Sequence, residues 1–320
     1  MDRRSFLAAT GALALPTLAM PAIAGAAALP KVVIGMSGWT GFAPLSLAED
    51  AGIFRKNGVD ATTRFVPQSG RNLAFMSGAL NCLVTTIDTM ITWASGGVPL
   101  TQVLVLDKSK GADGIVAKPS ITTVAGLKGR SVGADAPGTT PYFLLAYVLY
   151  KNGLSIKDVN YATVDPQAAA QAFIAGRFDA ASTYEPYLSE VRKLGPAKAH
   201  ILVSTLQYPV IEDTLAFGPA FIKANPAAVR AVVQSWFDAL AMIKRDPEKS
   251  FAMMGKHVKQ TAAQFASSAS YLTWQDRVMN QAYMKGPMQA FTKDAAAVLK
   301  DTGVIKKIPD LSALLDPSFV

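Results

Sequence analysis

A strand that hands over to a helix through a glycine-flanked loop constrains this chain more than any other feature. Lys31-Val-Val-Ile-Gly-Met36 is an apolar run rich in β-branched residues, which predicts a buried strand. Gly38-Trp39-Thr40-Gly41 ends it in a tight loop, and Pro44 suits the first turn of a helix. Leu45, Leu47, Ala48, Ala51 and Phe54 fall near helical spacing on one face, with Glu49, Asp50, Arg55 and Lys56 on the wet side. Gly58 stops the helix, and residues 61–66 begin a second strand. In an open α/β sheet a ligand sits in the crevice beyond the carboxyl ends of such strands. Trp39, Thr40 and Gly41 stand there with an aromatic face, a hydroxyl and a free N–H, although an ordinary loop with a core Trp fits the same residues.

Strand and helix signals alternate after residue 30, which predicts an α/β protein with largely parallel sheets. Further strands are expected at 82–86, 100–107, 113–118, 159–164, 180–183, 200–204 and 211–217. Helices are expected at 72–78, 89–94, 142–151, 168–175 and 188–194, and through most of the tail after 226. Segments near 114–118 and 209–215 read as two crossings between lobes. Residues 29–115 and 212–320 then form one lobe and 116–211 the other, joined by a two-segment hinge. The length of 320 residues suffices for two such lobes, and 50% apolar with 17% charged residues allows each a sizeable core.

The first 28 residues read as a separate object. Arg3-Arg4-Ser5-Phe6-Leu7 precedes an uncharged, Ala-rich stretch with small-residue cleavage patterns at Ala22-Ile-Ala24 and Ala24-Gly-Ala26. That is the pattern of a secretory signal, with an arginine pair of twin-arginine type. Its removal leaves a net charge of +7, from 29 basic against 22 acidic residues, with no basic block of the kind that binds nucleic acid. Cys82 is the only cysteine, so no disulfide forms within the chain and no lipid-anchoring cysteine follows the signal. His200 and His257 lack neighbours at metal-ligand spacing. No cofactor is expected, and the mature protein is expected to be a periplasmic monomer.

Five loops end strands on the ligand side. Besides Trp39-Thr40-Gly41, Ser69-Gly70 opens a helix and offers N–H donors. Asp88 follows the strand at 82–86, either as a ligand contact or as a helix N-cap. Thr139 and Thr140 begin a helix whose amides and hydroxyls suit an oxygen-rich or anionic group. Tyr184 and Glu185 precede Pro186 at another strand–helix junction. A shielded carboxylate is costly without hydrogen-bond donors or a cation, so Glu185 either meets such a ligand, stays solvated at the rim or pairs with Arg71. Asp213 on the return strand adds a second carboxylate or a hinge salt link. Trp39 and Tyr184 are placed to stack on or bracket a planar group.

The pattern W-x-G-x-x-P-L-x-L-A-x-x-x-G-x-F-x-K-x-G, from Trp39 to Gly58, resembles the opening of the nitrate/sulfonate/taurine and thiamine-pyrimidine family of ABC-transporter substrate-binding proteins. The likeness continues through Gly78-Ala-Leu80, Gly126-Leu-Lys-Gly129 and Ala172-Phe-Ile-Ala-Gly-Arg-Phe-Asp179 to Tyr184-Glu-Pro-Tyr187. It implies a two-lobed periplasmic binding protein that closes over a small solute and delivers it to an inner-membrane permease and ATPase. The carboxylates among the loop residues favour a nitrogen-containing planar or zwitterionic solute: pyrimidine-, amide-, guanidine- or taurine-like. Binding of an aliphatic sulfonate or nitrate is the alternative, and an exported sensor subunit is another. The pyrimidine-forming enzymes related to this family use a cysteine-rich motif and an active-site histidine, neither of which stands in a cleft loop here, so catalysis is not expected.

Overall fold

The computed structural model describes residues 28–320; the signal segment 1–28 lies, but for its last residue, outside the described residues. Eleven strands are found in the described residues: β1 Lys31–Met36, β2 Asp60–Phe65, β3 Cys82–Thr86, β4 Thr101–Ser109, β5 Asp113–Ala117, β6 Ser131–Ala134, β7 Asn160–Thr163, β8 Ala180–Tyr184, β9 His200–Ser204, β10 Glu212–Phe217 and β11 Leu272–Trp274. They form two sheets, of order β11-β4-β10-β3-β1-β2 and β7-β6-β8-β5-β9, each flanked by helices. The expected strand–helix–strand unit is present, with β1 parallel to β2 from Lys31↔Asp60 to Met36↔Phe65.

Two expectations need correction. The sheets are mixed, not mainly parallel: β1–β2, β1–β3, β6–β7 and β6–β8 are parallel, whereas β10 runs antiparallel to β3 and β4, and β5 antiparallel to β8 and β9. The reason is topological. A strand that enters a sheet directly from the other sheet arrives at the edge where the parallel strands end, so it runs against them. The helix after β1 is also not continuous. It is a 3-10 turn, Thr40–Phe42, then Ala43–Asp50 and Ile53–Lys56, separated at Gly52 with φ 67°. A left-handed residue ends one helix and re-aims the next, and glycine adopts it without steric cost.

The chain passes from the first sheet to the second between Ser109 and Asp113, and back between Ser204 and Glu212. The two crossings are tied together. Thr205 Oγ1 accepts from Gly111 N at 2.7 Å and lies 2.7 Å from Ser109 Oγ, which in turn accepts from Asp113 N at 3.1 Å. Helices Pro226–Arg245, Pro247–His257 and Ala262–Ala269 pack with the first sheet, burying Val232, Trp236, Met254 and Phe265 among β1 and β4 residues. Helix Pro287–Asp301 joins Ile87 and Ile91 in an apolar cluster that runs on into Phe143, Leu145 and Val148 on the second sheet's side. The two sheet-centred layers are therefore in apolar contact, and their strand ends face one another.

Candidate functional site

A small cavity lies where the carboxyl ends of the parallel strands from both sheets meet. Its volume of about 20 Å³ holds roughly one water, which needs on the order of 10–15 Å³. The first sheet contributes Ser37 and Trp39 after β1, Phe42, Thr85 and Thr86 at the end of β3, and Asp213 at the start of β10. Gln68 and Arg71 come from helix Gln68–Met76. The second sheet contributes Asp113 at the start of β5, Thr140 at the first turn of helix Thr140–Lys151, and Tyr184 at the end of β8.

Direct contacts close the cavity across the two sides. Gln68 Nε2 donates to Thr140 Oγ1 at 2.9 Å, and Thr140 N donates back to Gln68 Oε1 at 3.3 Å. Thr86 Oγ1 lies 2.9 Å from Thr140 Oγ1. The Trp39 and Tyr184 rings meet edge to face with centroids 5.5 Å apart. Trp39 is held from behind, its indole N–H shared between both oxygens of Asp107 at 3.3 Å. A Cβ on Gly41 would collide with the Asp107 carboxylate and the Trp39 indole nitrogen, so only glycine lets the turn sit this close. Trp274 of β11 adds a further brace by donating from Nε1 to Gly41 O at 3.0 Å.

Charge at the site is unbalanced. Arg71 is fully buried, and its guanidinium donates to the carbonyls of Val66 and Val84. Burial lowers it to about 10, a fall moderated by Tyr184, Asp213 and Asp135. Asp113 and Asp88 are pushed up to about 7, chiefly by burial, with repulsion from Asp88 and Glu185 adding at Asp113. Asp107 and Asp213 are Cα partners on adjacent strands, and burial raises both well above the carboxylate range, with their neighbouring acids adding to it. Asp113 Oδ2 is buried with no hydrogen-bond partner.

Of the residues singled out in the sequence, Trp39, Thr140, Tyr184 and Asp213 line the cavity. Thr40 and Gly41 lie one layer behind in the 3-10 turn, and Thr40 Oγ1 is buried without a partner. Thr139 is the residue before helix Thr140–Lys151, and its hydroxyl donates to Ala136 O at 2.8 Å. Ser69 is exposed and Gly70 half-buried, because the face of their helix that turns inward carries Gln68 and Arg71. Asp88 is buried in the first turn of helix Ile87–Ser95, outside the cavity wall; Thr86, not Asp88, is the cap residue. Glu185 is fully buried but also outside the wall. It accepts from Ser189 N at 3.2 Å and Ser268 Oγ at 3.3 Å, and it pairs with Arg192, not with Arg71. Burial still raises Glu185 above its ordinary value, with Arg192 opposing.

Sequence reasoning missed Ser37, Phe42, Gln68, Arg71, Thr85, Thr86 and Asp113 as wall residues. Gln68 and Arg71 were within reach: they are three apart on a helix that Pro67 begins, so they share a face. Asp113 was hidden because the start of a crossing strand resembles a linker. Cys82 is buried within β3 and its thiol is raised by burial, the opposite of a nucleophile's environment. His257 instead pairs with Asp50 at 2.8 Å on the surface. Among the described residues no cluster of His, Cys, Asp and Glu is set to hold a metal ion, and no helix is long and apolar enough to cross a membrane.

The fold recurs in known proteins. A protein of Brucella abortus (strain 2308), named as a binding protein, is 25% identical over 272 residues, 84% of this chain and 83% of its own. The alkanesulfonate-binding protein of Xanthomonas axonopodis pv. citri bound to MOPS superposes with a TM-score of 0.74 at 19% identity, covering 91% of this chain and 100% of that one. The periplasmic nitrate-binding protein of Synechocystis PCC 6803 gives a TM-score of 0.70 at 15% identity, covering 91% of this chain and 87% of its own. Two sheets joined by a pair of crossings are thus the periplasmic binding protein fold. The NMT1-like family matches residues 25–255, and the chain belongs to that family.

Proposed function

We propose that this protein is the solute-binding component of an ABC importer, exported through its twin-arginine signal, cleaved and free in the periplasm. The two sheet-centred lobes, hinged at residues 110–112 and 205–211, close over a small solute and present it to a permease and ATPase. The solute is a nitrogen-containing planar or zwitterionic compound. One observation carries this reading: the cavity wall is built from both sheets and holds a buried Arg71 and two buried acids, Asp113 and Asp213, together with the Trp39 and Tyr184 rings. A cavity of about 20 Å³ admits no such solute until the lobes part, so closure and capture are one event.

A second reading, an aliphatic sulfonate or nitrate, is favoured by the ligands of the similar proteins and by Arg71 beside the start of helix Thr140–Lys151. It is opposed by Asp113 and Asp213 in the same wall. A thermal-shift screen of mature protein against sulfonates, nitrate, pyrimidines, amines and amides tests the function. A true ligand at 100 times its Kd adds about 2.7 kcal/mol to stability. If no class raises the melting temperature, the solute-binding reading falls.

A further inference from the structure

We infer that the cavity receives a positively charged nitrogen, an ammonium or amidinium group, and that this group displaces protons held among the surrounding carboxyls. The inference rests on the cleft being a solute site and adds the charge of the solute and its coupling to pH.

Acids reach this point from four elements. Asp113 opens β5 and Asp213 is the second residue of β10, both in the cavity wall; Asp107 of β4 faces Asp213 across the ladder, and Asp88 lies in helix Ile87–Ser95. None is more than 3% exposed. Only Arg71 opposes them from within the wall, and its guanidinium is turned to the carbonyls of Val66 and Val84. Glu185 is already matched by Arg192, Asp135 accepts from Ala136 N, and Tyr184 is a neutral phenol raised further by burial. Asp113 Oδ2 is left with no partner, while Gln68, Thr86 and Thr140 in the same wall satisfy one another. A buried carboxylate oxygen without a donor is costly.

Four carboxyls around one guanidinium cannot all ionise in a dry site, so protons stay on some of them near neutral pH. Burial holds Asp88 and Asp113 at about 7. An arriving N–H of a cation donates to the carboxylate oxygen, the carboxyl O–H bond breaks, and the proton leaves to the buffer. Trp39, Phe42 and Tyr184 add ring faces, and such faces attract a cation. A purely anionic ligand would instead place a further negative charge among the acids.

The test uses mature protein and two probe sets: ethanolamine, butane-1,4-diamine, guanidine and taurine as protonated nitrogens, and ethanesulfonate, 2-hydroxyethanesulfonate and nitrate as anions. The expected result is that at least one protonated nitrogen raises the melting temperature and binds in calorimetry. Its heat should vary with the ionisation enthalpy of the buffer in the sense of proton release. Its affinity should tighten as pH rises towards 7, about tenfold per unit for each proton released. Asp113→Asn, and independently Asp213→Asn, should weaken it about tenfold or more and reduce the proton release, while both variants keep a cooperative melt. Binding of anions alone keeps the solute site and overturns the cation. Failure of every probe overturns the cation and weighs against the solute site. Cation binding without proton release, or unchanged in both variants, overturns the coupling and its placement on these acids.

Discussion

Glu185 and Asp113 are both buried acids at strand ends, yet their neighbours give them opposite roles. Glu185 accepts from a backbone N–H, a hydroxyl and Arg192, whose guanidinium also donates to Gly111 O at 3.1 Å and lies 4.1 Å from the Tyr271 ring centre. It thereby ties the end of β8 to a crossing segment and to helix Ala262–Ala269. Asp113 has an unpartnered oxygen in the cavity wall. The sequence marks Glu185 by its place before a proline, but its partner is seven residues on, a pairing that only the intervening helix brings together. Glu185→Gln should cost roughly 1.5–3 kcal/mol, the worth of a hydrogen bond to a charged group. Urea denaturation should show the loss while solute affinity stays within about twofold of the parent. A large loss of affinity with unchanged stability would return Glu185 to the binding site.

At the scale of elements, the strand–loop–helix unit after residue 30 was readable because each of its parts carries its own signal: β-branched residues, a glycine-bounded loop, a proline at the helix start. The stop at Gly52 was not, since a lone glycine in an amphipathic run is compatible with a continuous helix. Nor was β11, whose three residues are too few for alternation to register, though Trp274 within it braces the Trp39 loop. The crossing at 110–112 depends on Gly111, with φ 98°, whose N–H donates to Thr205. Left-handed backbone costs an L-residue roughly 1–2 kcal/mol, and a Cβ there would also press on Leu206 at 3.1 Å. Gly111→Ala should therefore lower the unfolding free energy by about that amount in denaturant titration. A neutral effect would mean that the crossing relaxes freely and does not fix how the chain passes from β4 to β5.

For the whole molecule, the α/β layering follows from alternating strand and helix signals, whereas the contacts between the two sheet-centred layers do not. Contacts such as Gln68–Thr140 and Trp39–Tyr184 join residues far apart in the chain, and no local pattern encodes them. If these contacts hold the lobes shut, ligand-free protein should scatter X-rays with a larger radius of gyration than saturated protein; equal radii at confirmed saturation would count against closure.

The buried acids add a dependence on pH that has a definite sign. Asp88 and Asp113 sit at about 7, against 3.8 ordinarily, because burial disfavours their charged forms. The folded state thus binds these protons more tightly than the unfolded chain. Below pH 3.8 each carboxyl is protonated in both states and costs nothing; as pH rises from 3.8 to about 7 each removes stability, by about 1.4 kcal/mol per unit. Asp179 works the other way, held at about 2 by Lys118 and Ser131, so its contribution is lost only as pH falls from 3.8 towards 2. Comparing ligand-free parent with Asp113→Asn by urea denaturation across pH 4 to 8 isolates one such group. The variant should gain on the parent steadily with rising pH and level off above about 7. A difference that stays flat over that range would mean that Asp113 ionises freely in the folded protein, and the charge imbalance that argues for a cationic solute would disappear with it.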